Sequence, residues 1–194
     1  MKLSEGDKAP LFEGLNQDGK NIRLQDYKGK KVVIYFYPKD MTPGCTAEAC
    51  SLRDDYGELQ SAGYYIIGIS ADTVKKHKQF ADKYELPFDL IADTDKKIIE
   101  SYGVWGPKKF MGREFDGIIR STFIIDEKGK IERIIEKVVT KNHGQQIMNL
   151  WKTAAGLRCF AAEYWRFSQP NNGGFPSQIY GDNPSQIMVI VRAE

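Results

Sequence analysis

The sequence predicts an α/β protein: a central mixed β-sheet flanked by helices, with a small hairpin near the N-terminus. Three observations predict it. Continuous apolar runs of strand length alternate with segments whose apolar residues recur at helical spacing. The last of these runs is joined by a short polar turn to a further one, as in a β-hairpin. Apolar residues make up 41% and charged residues 28%, as in an ordinary globular chain, and 194 residues are enough for one domain with a sizeable core.

Taken in order, the stretch from Phe12 to Lys20 holds an Asp18-Gly19 turn signal and reads as the small hairpin. Lys31 to Tyr37 is β-branched and aromatic throughout its centre and stops at Pro38, which suits a strand buried on both faces. Tyr64 to Ser70 is a second run of this kind. Thr122 to Asp126 is a third, turned by Glu127-Lys128-Gly129-Lys130 into Ile131 to Ile135. Between them, Thr46 to Ala62 is expected as one helix stopped at Gly63. Val74 to Tyr84 sets Val74, His77, Phe80, Ala81 and Tyr84 on one helical face. Lys96 to Tyr102 is expected to end at Gly103, and Gln145 to Trp151 to close the domain as a short helix.

The chain changes character near Thr153. Breakers cluster at Pro170 to Pro176 and at Gly181 to Pro184, and Gln186 to Val191 alone looks strand-like. Roughly forty residues rarely sustain their own core. Residues 1–152 are therefore expected to form the domain and 153–194 an extension.

A net charge of +2, with lysines interspersed among acids, points to neither nucleic acid nor membrane. The N-terminus lacks an apolar targeting run, and no window approaches the length of a membrane span, so a cytoplasmic protein is expected. Cys45, Cys50 and Cys159 are too few for an extracellular disulfide framework; such a pair close in sequence suggests metal binding, redox chemistry or chance.

Cys45 stands where a buried strand ends and a helix begins, the crevice at which open α/β sheets place their chemistry. A thiol acts as a nucleophile when ionised, and the unpaired N–H groups of a first helical turn stabilise an anion by about 0.3–1 kcal/mol. Thr42 can offer a hydroxyl to the sulfur or to a bound oxygen. Pro38 and Pro43 stiffen the loop, and Lys39 is the cation that local sequence supplies.

Pro38, Thr42 and Cys45 match the Pro-x-x-x-Thr-x-x-Cys motif of peroxiredoxins, and the run from Phe36 to Thr46 with Cys50 resembles the bacterioferritin-comigratory, or Q-type, subfamily. Arg120, just before Ser121 to Asp126, matches that family's active-site arginine. The likeness extends from about residue 4 to Lys152. It implies a thioredoxin-like fold and a cofactor-free thiol peroxidase that reduces hydrogen peroxide and organic hydroperoxides. By the same resemblance Cys45 is the peroxidatic cysteine and becomes a sulfenic acid. Thr42 and Arg120 orient the peroxide, Pro38 shields the sulfenate, and Cys50 resolves it as an intrachain disulfide. Thioredoxin or a similar dithiol protein would be the reductant, and a monomer would suffice. A peroxide-sensing switch or holdase is the alternative. A thioredoxin-like disulfide oxidoreductase would need Cys-x-x-Cys, whereas the chain reads Cys45-Thr46-Ala47-Glu48.

Zinc is not expected, because neither histidine lies near the cysteine pair and two thiolates make half a structural site. His77 is expected to face solvent or pack on its helix, and His143 to be a loop or cap residue. Trp105 and Phe110 are expected in a surface loop, and Cys159 as an inert thiol.

Overall fold

The computed structural model describes residues 3–110 and 112–150; the expected extension, with Cys159, lies outside the described residues. Strands β1 (Glu13–Leu15) and β2 (Asn21–Arg23) form the N-terminal hairpin. Then come β3 (Lys31–Phe36), helix α1 (Pro43–Asp54), α2 (Tyr56–Ser61), β4 (Tyr64–Ser70), α3 (Val74–Tyr84), β5 (Asp89–Ala92) and α4 (Lys97–Ser101). A hairpin of β6 (Trp105–Phe110) and β7 (Arg113–Ile118) follows, then β8 (Ser121–Ile125), β9 (Ile131–Ile135) and a helix, α5, over residues 143–150.

The main sheet has the order β5-β4-β3-β8-β9. β3 runs parallel to β4 and β4 to β5, each pair joined by helical crossovers, while β8 and β9 are antiparallel neighbours. Side chains alternate across a strand, so β3 feeds both faces of its sheet. Val33, Tyr35 and Tyr37 join Leu52, Leu59, Phe80 and Ile147 on one side. Val32, Ile34 and Phe36 join Phe12, Ile98, Ile99 and Phe123 on the other. Helices therefore cover both faces, and β3 is buried from Val32 onward. Among the described residues no helix is long and apolar enough to cross a membrane.

Two expectations are corrected. The segment from Thr46 to Ala62 is two helices, broken at Asp55 (φ −92°, ψ 5°). Asp55-Tyr56-Gly57 is a run of weak helix formers, and the Asp55 carboxylate accepts a 2.8 Å hydrogen bond from the Gln145 amide of α5. Residues 105–118 form a β-hairpin rather than an irregular surface loop, paired from Trp105↔Ile118 to Phe110↔Arg113.

Candidate active site

The register of the sheet decides where the site falls. Phe36 at the end of β3 pairs with Ser121 at the start of antiparallel β8. The residues just past that pair, Tyr37 and Arg120, therefore emerge at the same sheet edge. From Tyr37 the chain continues through Pro38 to Thr42 into α1. Thr42 is extended (φ −83°, ψ 148°) and Pro43 opens the helix, a position that costs no backbone hydrogen bond. Cys45 is then in the first turn, 2% exposed. The first intrahelical bond runs from Thr46 N–H to the Thr42 carbonyl, which leaves the Gly44 and Cys45 N–H groups at the unpaired end of the helix.

Arg120 meets Cys45 here: its Nη2 lies 3.2 Å from Sγ. Its Nη1 donates to Glu48 Oε2, one turn further along α1. Glu48 is fully buried while Arg120 is 21% exposed. The guanidinium thus bridges sulfur and carboxylate, held by the latter in the plane it presents to the former. Glu48 Oε1 has no hydrogen-bond partner among the described residues and lies 3.9 Å from His143 Nε2.

His143 is the first residue of α5 and fully buried, not a loop residue. The Gln146 carboxamide donates to the Lys137 carbonyl and accepts from Val139 N–H, so its oxygen faces His143 Nδ1 at 3.1 Å. Nδ1 is therefore the donor, and Nε2 accepts from the Thr122 hydroxyl at 2.8 Å. Burial pushes the ring down to about 4, so it is neutral at neutral pH.

The cation that local sequence supplied is not the one at the sulfur. Lys39 is exposed, and its carbonyl accepts the Thr42 hydroxyl at 3.0 Å. That bond uses the hydroxyl proton, leaving Thr42 Oγ1 as an acceptor. Pro38 is half-buried at the start of the same loop. Lys108 of β6 is a second cation nearby: its Nζ donates to the Ile118 carbonyl at 2.6 Å. Burial lowers the Lys108 pKa, and the neighbouring Cys45 charge opposes that shift.

Cys50 is half-buried on the same helix, and both thiols are free. Five residues along a regular helix separate Cα atoms by about 8–9 Å, whereas a disulfide needs them within about 7 Å. No disulfide can join the two while α1 is intact.

The loop before Cys45 is tied into the interior. Asp40 is buried; its Oδ1 accepts from the Tyr37 hydroxyl at 2.8 Å and its Oδ2 meets His77 Nδ1 at 2.8 Å. Asp40 N–H donates to Asp72 Oδ2 at 2.8 Å. His77 is 0% exposed, so of the two environments expected for it, solvent or packing on its helix, the solvent-facing one is excluded. Among the described residues no cluster of His, Cys, Asp and Glu could hold a metal ion.

Sequence reasoning brought out Cys45, Cys50, Thr42, Arg120 and Pro38, and missed Glu48, Asp40, His77 and His143. Glu48 had a signal: it shares the i, i+3, i+4, i+7 stripe with Cys45, Ala49 and Leu52, a charge on a buried face.

A profile of the AhpC/TSA family matches residues 5–134. The chain is 47% identical over 153 residues to peroxiredoxin Bcp of Escherichia coli, covering 79% of this chain and 98% of that one. It is 44% identical over 152 residues to peroxiredoxin Bcp of Bacillus subtilis, covering 78% and 97%. Among solved structures it is similar to the bacterioferritin comigratory protein of Xanthomonas campestris, studied for its alkyl peroxide reduction activity. That match has a TM-score of 0.69 at 33% identity, over 74% of this chain and 92% of the other.

Proposed function

The chain belongs to the AhpC/TSA family as a peroxiredoxin of the Bcp, or Q, type, a thiol peroxidase, and on that premise we propose its reaction cycle. The Cys45 thiolate attacks the terminal oxygen of ROOH. The O–O bond breaks, Cys45 becomes a sulfenic acid, and RO⁻ takes a proton to leave as ROH. The Cys50 thiol then displaces water from the sulfenic acid to form the Cys45–Cys50 disulfide. A dithiol protein such as thioredoxin reduces that bond and is itself oxidised. No step asks for a second subunit.

The observation that carries this reading is Arg120 Nη2 at 3.2 Å from Cys45 Sγ. A fixed cation there can stabilise both the thiolate and the charge that develops on the leaving oxygen, without reorganising at the moment of reaction. Thr42 Oγ1, its own proton engaged by Lys39, is free to accept the O–H of the peroxide. Pro38 adds an apolar wall with no N–H to recruit water. The alkyl peroxide activity of the Xanthomonas protein supports organic hydroperoxides as substrates alongside hydrogen peroxide.

The test is peroxide consumption coupled to thioredoxin, thioredoxin reductase and NADPH. Cys45→Ser should abolish turnover, and Cys50→Ser should stop recycling by thioredoxin while sparing one stoichiometric reaction with peroxide. Full turnover in Cys45→Ser would refute the assignment. Oxidation of Cys45 without recycling in the parent chain would favour a peroxide sensor.

A further inference from the structure

The cycle above leaves unused the buried polar cluster beside the site, made of His77, Asp40 and Tyr37. His77 projects from α3 between β3, β5 and the loop that precedes Cys45. Its Nε2 meets the Ile91 carbonyl of β5 at 3.2 Å, and its Nδ1 meets Asp40 Oδ2 at 2.8 Å. A carbonyl oxygen can only accept, so Nε2 must donate. The remaining nitrogen faces a carboxylate oxygen. With the lone pair of a neutral ring pointed at it, an ionised Asp40 would meet it acceptor to acceptor. The pair therefore holds a proton between the two atoms.

The other groups around the ring agree with a cation there. The Tyr37 hydroxyl, 3.3 Å from Nδ1, gives its proton to Asp40 Oδ1. Asp72 takes Asp40 N–H on one oxygen and the half-exposed Lys76 ammonium on the other, so its charge is already engaged. What the ion pair fixes is the backbone at residue 40. Two residues on is Thr42, reached through Met41 in the left-handed region (φ 58°), a conformation an unbranched L residue holds only when its surroundings impose it.

We propose that His77 is a buried imidazolium whose ion pair with Asp40 makes it a positioning residue, setting the loop that presents Thr42 to the peroxide. This rests on the peroxidatic reading of Cys45. Removing His77 alone leaves the Asp40 carboxylate buried without its counter-charge, which drives the loop toward solvent. Replacing both by amides removes the two charges together and keeps hydrogen-bonding groups in the gap.

The experiment measures the second-order rate of Cys45 oxidation by hydrogen peroxide in the parent, in His77→Gln and in His77→Gln/Asp40→Asn. Iodoacetamide alkylation of Cys45 serves as a reaction that does not use Thr42. Small misplacements of a reacting group can cost up to about a hundredfold. We expect His77→Gln to lose roughly tenfold or more with peroxide but far less with iodoacetamide, and the double variant to recover most of the loss. A His77→Gln rate within about twofold of the parent overturns the proposal, as does a double variant no faster than the single one. In parallel, ¹⁵N-edited spectra of the parent should show both His77 ring nitrogens protonated at neutral pH. A neutral single-tautomer ring overturns the proposal whether or not the variants fold. The parent's own rate with peroxide tests the peroxidatic reading separately.

Discussion

The loop on the N-terminal side of Cys45 and the helix on its C-terminal side are held by different kinds of bond. Residues 38–42 are tied through Asp40 to the neighbouring Tyr37 and, far along the chain, to α3 and the segment after β4, by side-chain bonds. Residues 45–50 are held by helical backbone bonds, by burial of Cys45 and Ala49, and by Arg120, which reaches both Cys45 and Glu48. The C-terminal end of α1 is anchored again, because Gly144 N–H donates to Ser51 Oγ and Gln145 to Asp55. The turn between the cysteines thus depends on Arg120 and on core packing, whereas its two flanks are tied by hydrogen bonds to several elements. On the proposed cycle, a site that presents one sulfur to peroxide and then joins it to a second, with Cα atoms about 8–9 Å apart on the intact helix, makes use of this asymmetry.

The contrast can be broken most severely at Arg120. Arg120→Met leaves the fully buried Glu48 carboxylate without its partner, and α1 should loosen even in the reduced protein. Urea unfolding should register a loss of about 3 kcal/mol. The rate of Cys45 oxidation by peroxide should fall about 10²–10³-fold, the scale seen when one preorganised donor is removed from a transition state. A variant with near-parental rate and stability would deny Arg120 both roles.

Acid should weaken the far anchor by a comparable or smaller amount. In the folded protein burial holds His143 at about 4, against 6.5 for an ordinary ring. The unfolded chain therefore takes up the proton first as pH falls. The stability linked to this residue is complete above pH 6.5 and is lost as pH drops toward 4, by up to about 3 kcal/mol. Urea midpoints at several pH values across that window should fall more steeply in the parent than in His143→Gln. Parallel curves would mean that His143 does not contribute the difference.

Strands β3 and β4 and helix α3 were legible in the sequence because each buries a continuous run or a clear stripe of its own. β5 was missed because its four residues carry only Leu90 and Ile91 as a signal. The β6–β7 hairpin was missed because Gly106, Pro107, Lys108 and Lys109 hide any alternation. At the site, Cys45 and Arg120 were legible through a motif, which is local. The partners that hold them were not: Asp40 and His77 stand 37 residues apart, and Thr122 and His143 stand 21 apart. Such pairings exist only once the sheet is assembled. A histidine on an otherwise apolar helical face was compatible with either environment until Asp40 was seen opposite it.

Amide hydrogen exchange, compared between the reduced protein and its Cys45–Cys50 disulfide form, tests the central claim most directly. Asp40 N–H, bonded to Asp72, reports the fixed side, and the amides of residues 46–50 report the side that opens. The account predicts that the disulfide form loses protection across 46–50 while Asp40 stays protected. Protection retained across 46–50 in the disulfide form would contradict it, and so would equal loss at Asp40.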